Sequence, residues 1–205
     1  MLDRYTLPMI KQPLQRAARL LADRNVTASQ VTVAGFFVGL LAVPAIIANF
    51  YLLGLVLILL NRIADGIDGE LARMTEPTDA GGFLDITLDF FFYQAIVFAF
   101  ALADPANTLW ALILMLSFVG TGISFLSFAA LAEKKQIKSL TYPNKSLHYM
   151  AGLAEGTETI AIFVAFCLLP SLFPWLAGGF ALLCFITAGM RVHYGYWALR
   201  NTGNR

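Results

Sequence analysis

The chain has 205 residues, 59% of them hydrophobic and only 13% charged, about half the charged fraction of an average soluble domain. That balance excludes an ordinary water-soluble globular protein and points to an all-α integral membrane protein. The net charge of +1 gives no reason to expect a nucleic-acid partner. The two cysteines, Cys167 and Cys184, both fall in apolar stretches, so neither a disulfide framework nor a zinc site is implied.

In chain order, residues 8–24 place Ile10, Leu14, Ala17 and Leu21 on one helical face with Lys11, Arg19 and Arg24 away from it, the pattern of a helix lying in the membrane interface. Residues 1–30 are therefore read as a juxtamembrane amphipathic segment and 31–205 as a transmembrane domain that carries the chemistry. The segment serves either as a positive anchor or as a surface that meets anionic lipid or shields a site mouth. Asn25, Thr27 and Ser29 offer N-cap chemistry for the first of six predicted spans, at 31–48, 51–73, 79–102, 108–131, 148–169 and 173–197. No short apolar core with a small-residue cleavage site precedes them, so the first span is expected to insert uncleaved.

Within the spans, Pro44 predicts a kink near the outer end of the first. Gly35 and Gly39 form a pair that lets helix backbones approach closely, and Gly66, Gly69 and Ala72 form a second small-residue stripe on span two. Thr75, Pro77, Thr78 and Asp79 end span two and start span three, predicting a tight hairpin. The phenylalanines are read as packing and lipid-facing surface, and Trp110, Trp175 and Trp197 as interfacial anchors.

Lysines and arginines set the orientation. Arg4, Lys11, Arg16, Arg19 and Arg24 precede the first span; Lys134, Lys135, Lys138 and Lys145 occupy the fourth connection; Arg200 and Arg205 lie in the tail. The connections around Asn49, 104–107 and 170–173 carry none. By the positive-inside rule both termini and the turn between spans two and three face the cytoplasm.

That turn is flanked by the most unusual feature of the chain, DGIDGELARMTEPTDAGGFLDITLD from Asp65 to Asp89. Acids in membrane helices are costly and face a partner, a cavity or an ion. Asp65 and Asp68 are three residues apart and Asp85 and Asp89 four apart, so each pair shares one helix face. At about 1.5 Å per residue the two pairs lie at matching depths below the hairpin. Four carboxylates so close cannot all stay ionised unless positive charge cancels their repulsion. Arg62 and Arg73 cannot neutralise four aspartates and Glu70, which leaves divalent cations. An oxygen-only donor set suits magnesium, manganese or calcium, and magnesium acting on a phosphate-bearing substrate is the natural reading.

The pattern Asp65-x2-Asp68-Gly69-x2-Ala72-Arg73, then seven residues to Gly81-x3-Asp85-x3-Asp89, resembles the signature of the CDP-alcohol phosphotransferase (CDP-alcohol phosphatidyltransferase) family. The length of the chain is similar to prokaryotic phosphatidyltransferases of the bacterial inner membrane. The resemblance implies six spans and a cytoplasmic site holding two Mg2+ ions, with Mn2+ as a substitute. Asp65, Asp68 and Asp85 hold the ions at the diphosphate of a CDP-linked donor, and Asp89 shares one and acts as general base. Asp65, Gly69, Ala72, Arg73 and Gly81 form the CDP-binding surface, where Arg73 contacts phosphate or closes the site. The expected reaction moves the phosphatidyl group of CDP-diacylglycerol to a hydroxyl acceptor such as glycerol 3-phosphate and releases CMP, in phospholipid synthesis. Inositol phosphate, serine or a lipid hydroxyl are the alternative acceptors. A homodimer is also implied.

Further polar residues lie in or near the last two spans. Glu155 and Glu158 share a face of span five, and Arg62 and Arg191 are placed to pair with Glu158 and Glu155 respectively. The functional reading of the same residues is an acceptor pocket in which Lys138, Lys145, His148 and Arg191 meet phosphate and the glutamates meet hydroxyls. A different class of function, a cation or proton pathway through the four aspartates, predicts acids spread across the bilayer. The outer halves of the spans are almost free of charge, which argues against it. A non-catalytic lipid-binding protein is the third reading.

Overall fold

The computed structural model describes residues 3–135 and 152–201, with the side chains of 3–10 and 201 excepted. Among the described residues there are helices only: α1 (Asp3–Ala22), α2 (Ala28–Leu40), α3 (Ala42–Ile47), α4 (Tyr51–Met74), α5 (Asp79–Ala103), α6 (Thr108–Lys134), α7 (Gly156–Leu168) and α8 (Phe173–Asn201), with single 3₁₀ turns before α6 and α8. Their bounds follow local chemistry. Thr27 caps α2 in a reciprocal capping box with Gln30, its hydroxyl accepting from the Gln30 amide while the Gln30 side chain accepts from the Thr27 amide. Thr78 caps α5 by accepting from the Gly81 amide at 3.0 Å. Asn25 and Asn49, at φ 57° and 63°, follow α1 and α3 in the left-handed conformation that asparagine tolerates at helix ends. Of the three N-cap candidates before the first span, Thr27 takes the role.

The expected kink is a break. α2 ends at Leu40 and α3 starts at Ala42, because Pro44 has no amide to offer the Leu40 carbonyl and its ring crowds that group one turn back.

Among the described residues, four segments are long and apolar enough to cross a membrane: Ala28–Ile47, Asp79–Ala103, Pro105–Lys134 and Pro170–Arg200. α4 has 24 residues but carries the acids and arginines of the motif, and α7 has only 13. The outward faces are apolar. On α4, Leu52, Val56, Leu59, Leu60 and Ile63 are exposed while Asn61, Asp68 and Glu70 are buried, an inversion of soluble-protein patterning that requires a lipid surround. The division continues along the bundle axis. Phe100, Phe166 and Phe173 stack at the end away from the acids, with centroids 4.5 to 5.5 Å apart, and about 15 residues of α5, roughly 22 Å, separate Phe100 from Asp85. Trp175 is 78% exposed, as an interfacial anchor should be, and Trp197 is also exposed. Trp110 instead packs onto the bare backbone of Gly178, where a Cβ would sit 2.7 Å from its ring.

α4 is the element the rest is arranged around. α1, α2, α3 and α7 all pack on it, α5 packs on α2, α3 and α6, and α6 pairs with α8. The turn from α4 to α5 is short, yet the two backbones stay apart rather than packing as the expected tight hairpin. α2 wedges between them: a Cβ at Gly39 would lie 2.8 Å from both Asn61 of α4 and Phe92 of α5, and one at Gly35 would lie 2.5 Å from Ala64 Cβ. The space left between α4 and α5 is where the acids point. α1 closes on the same end, its Leu14 against Gly66 and its Gln15 amide donating to Glu70 at 3.1 Å. Gly66 thus serves helix packing.

Because the Ala64 methyl is held by its own helix, Gly35→Ala is expected to force α2 off α4 at a cost of about 1–3 kcal/mol. Gly179→Ala, whose Cβ meets nothing within 4 Å, should leave stability unchanged or raise it slightly. Circular-dichroism melts of the two variants in detergent check this pair of signs. A Gly35→Ala melt at the parent midpoint would rule out the close approach.

Candidate active site

The cavity between α2, α4 and α5 is lined by Thr32 and Phe36, by Asn61, Arg62, Asp65 and Asp68, and by Asp85, Leu88 and Asp89. Helical spacing brings the acids to it: the three-residue step on α4 and the four-residue step on α5 each turn two carboxylates into the same gap. One oxygen each of Asp65, Asp68 and Asp85 lie within 4.8 Å of one another. Asp68 Oδ2 and Asp85 Oδ1 are buried and accept no hydrogen bond among the described residues. Buried carboxylate oxygens without a donor are expensive, and both belong to residues of the three-acid group. The donor set is hard oxygen throughout. These three residues therefore fit a divalent cation of the magnesium or manganese kind.

Asp89 is engaged differently. Arg62 Nη2 donates to its Oδ1 at 2.6 Å and Nη1 to its Oδ2 at 3.3 Å, and the Tyr93 hydroxyl reaches Oδ2 at 3.4 Å. Arg62 is tied down on its other side, donating from Nε and Nη2 to Asn61 Oδ1 at 2.9 and 2.7 Å, while Asn61 donates to the Gly35 carbonyl at 3.0 Å. It also approaches Asp65 at 3.5 Å and lies over the Phe92 and Tyr93 rings. The pairing of Arg62 with Glu158 read from the sequence is thus replaced. Arg62 stands on the helix face that carries Asp65 and reaches across to α5 instead.

The CDP-surface candidates lie at the hairpin end. Arg73 is 63% exposed at its side chain and donates to Glu70 at 2.7 Å. The atoms nearest to where a Gly69 Cβ would lie belong to that same guanidinium, from 3.4 Å, so no other helix fills the Gly69 face. Ala72 is half-buried on α4, and Gly81 follows the Thr78 cap with Ser29 nearby.

Of the acceptor candidates, Lys138, Lys145 and His148 lie outside the described residues. Glu155 and Arg191 meet at Gly152. The Gly152 amide donates to Glu155 Oε1 at 3.0 Å, and a Cβ there would lie 3.1 Å from Arg191 Nη2. Arg191 is buried, donates to the Thr121 carbonyl at 3.2 Å and lies over Phe125. Glu158 sits in the first turn of α7. This group adjoins the acid site through Tyr93, whose hydroxyl is 4.0 Å from where a Gly156 Cβ would stand.

Sequence reasoning missed Asn61, Tyr93 and Thr32 as site residues. Asn61 was detectable as a polar residue in an apolar run, and Tyr93 as the residue one turn beyond Asp89. Thr32 gave no signal.

Residues 25–191 match the family model described as CDP-alcohol phosphatidyltransferase. The chain is 50% identical over 202 residues to inner membrane protein YnjF of Escherichia coli K12, covering 98% of each. It is 36% identical over 96 residues to the archaetidylinositol phosphate synthase of Pyrococcus horikoshii, covering 46% of this chain and 51% of that one. Among solved structures, the phosphatidylinositol phosphate synthase of Mycobacterium tuberculosis with CDP-DAG bound superposes with a TM-score of 0.73 at 18% identity, covering 89% of this chain and 93% of the other. The same enzyme in complex with manganese and citrate gives 0.72 at 19% identity, covering 89% and 88%. With its acid motif inside the matched region and its fold shared, the chain belongs to the CDP-alcohol phosphatidyltransferase family of membrane enzymes.

Proposed function

We propose that the chain transfers the phosphatidyl group of CDP-diacylglycerol to the hydroxyl of a phosphorylated polyol, with CMP as the second product, in phospholipid synthesis. The observation that carries this reading is the convergence of Asp65, Asp68 and Asp85 beside a separately held Asp89. Asp65, Asp68 and Asp85 hold the divalent cation, Mg2+ or Mn2+. A cation bound there neutralises the diphosphate and the departing phosphate. Gly69, Ala72 and Gly81 leave room for the cytidine, and exposed Arg73 meets phosphate from the hairpin end.

Asp89 takes the proton of the acceptor hydroxyl as its oxygen attacks the phosphorus remote from the cytidine. A new O–P bond forms, the bond to the bridging oxygen of CMP breaks, and CMP leaves with the electron pair. Glycerol 3-phosphate is the first acceptor in this reading. The Pyrococcus relative, named for an inositol phosphate product, favours inositol phosphate as the second. In this reading Arg191 and Glu155, which both reach Gly152, receive the acceptor together with Glu158, Lys138, Lys145 and His148.

α4, at about 36 Å for 24 residues, and the segment that includes α7 complete a count of six spans, with both termini and the acid site on the cytoplasmic side of the inner membrane. The relative named as an inner membrane protein supports that location, the placement of the lysines and arginines supports that orientation, and a homodimer is part of the reading on the family resemblance alone. A cation pathway is disfavoured because the three converging acids occupy one depth rather than a succession of depths.

Purified protein in detergent with CDP-diacylglycerol, Mg2+ and each acceptor in turn is expected to release CMP only with its own acceptor, and to stop on chelation with EDTA. No CMP with any acceptor, or release undiminished by EDTA, would contradict the reading. Asp68→Asn or Asp85→Asn should cost about 10²-fold or more in kcat, the scale of losing one preorganised charge contact. Asp89→Asn should lower kcat by about 10²–10⁴-fold, the range for a general base, with CDP-diacylglycerol affinity retained. Equal loss of kcat and donor binding in Asp89→Asn would remove its assignment as base.

A further inference from the structure

We propose that Glu70, braced by Gln15 of α1, is the positioning residue for Arg73, holding its guanidinium over Gly69 to meet the phosphate of the donor; this rests on the functional reading above. Glu70 is not part of the acid cavity. It faces α1, one turn beyond Gly66, whose bare backbone seats Leu14. Each of its oxygens has its own donor: Oε1 accepts from Arg73 Nη2 at 2.7 Å and Oε2 from Gln15 Nε2 at 3.1 Å. The Glu70 side chain is 9% exposed and that of Arg73 63%. The buried acid is therefore the fixed member of the pair, and the arginine is the one held.

Arg73 lies in the last turn of α4, where the open carbonyls of the helix end and bulk water both draw a cation away from the acids. Glu70 stands three residues earlier, so the ion pair folds the long side chain back along the helix. Guanidinium atoms accordingly lie 3.4 and 3.6 Å from where a Gly69 Cβ would stand. Gly69 is one turn, about 6 Å along the axis, from Asp65, so a diphosphate gripped at the cation cluster extends toward the guanidinium. The bond to Glu70 takes one of five guanidinium donors, and the exposure of the side chain leaves others to reach phosphate. Exposed ion pairs are usually worth little because two long side chains must be immobilised. Here one of them is immobilised in advance by Gln15, which makes α1 part of the donor site as well as an anchor.

Charge and position predict opposite signs. A carboxylate near an anionic donor repels it, so on charge alone Glu70→Gln would lower the KM for CDP-diacylglycerol. Positioning predicts that this KM rises about tenfold, the scale of one hydrogen bond to a charged group. The kcat should stay unchanged, because the contact is made in the ground and transition states alike. Gln15→Leu, which removes only the brace, should move KM in the same direction. In an Arg73→Ala background neither substitution should raise KM further. A fall or no change in KM, a loss of kcat in its place, or an additive rise in the double variants would overturn the proposal.

A second arm needs no turnover. In protein isotopically labelled on arginine, the side-chain Nε–H resonance of Arg73, assigned by its loss in Arg73→Lys, should report an ordered group in the parent and a mobile one in Glu70→Gln and Gln15→Leu. Unshifted resonances from the other arginines show that the variants keep the fold. Equal order of Arg73 in the parent and both variants would show that Glu70 does not hold it. If Arg73 is released as expected but no acceptor yields CMP, the functional reading fails while the hold on Arg73 stands.

Discussion

Everything in this molecule follows from the need to keep four carboxylates ionised among apolar helices. Lipid offers no water and no counter-ions, so each acid must be met by charge that the protein supplies or recruits. The chain uses both means. Asp89 receives the Arg62 guanidinium, which also approaches Asp65, while Asp65, Asp68 and Asp85 converge with two buried oxygens that no donor among the described residues satisfies. The first arrangement is self-contained. The second makes sense only with a divalent cation, and a diphosphate-linked substrate is the kind of ligand such a cation serves.

The helix packing exists to hold that division in place. Gly35 and Gly39 bring α2 close enough to wedge α4 and α5 apart, and the gap so made is the site. Asn61 belongs to the packing and the chemistry at once, filling the notch at Gly39 and steering Arg62. At the far end of the bundle the Phe100, Phe166 and Phe173 cluster supplies rigid apolar contact with no polar demand. Polar function and apolar cohesion are separated along the bundle axis, and α1 clamps the acid-bearing end through Leu14 and Gln15.

Much of this was legible in the sequence, and the reasons differ by feature. Five of the six span positions agree with described helices to within a few residues, because apolar length and N-cap residues such as Thr27 and Thr78 act locally. Gly35 and Gly39 announced close packing through their spacing. The acid motif was legible because aspartates in membrane helices have few explanations. What escaped was long-range: that α2 splays the expected hairpin, that Arg62 turns to Asp89 across the gap rather than to Glu158, and that Trp110 has a Gly178 seat. Each depends on how helices distant in sequence are set against one another, which periodicity does not encode. For the same reason the contacts that join Asn61 and Tyr93 to Arg62 and Asp89 show only once α4 and α5 are set together.

The central claim is that Asp65, Asp68 and Asp85 form one divalent-cation centre between α4 and α5. Anomalous diffraction from crystals of the protein grown with Mn2+ tests it most directly. The account predicts an anomalous peak bounded by those three carboxylates. A peak elsewhere, or none at saturating Mn2+ with the carboxylates pointing apart, would contradict it.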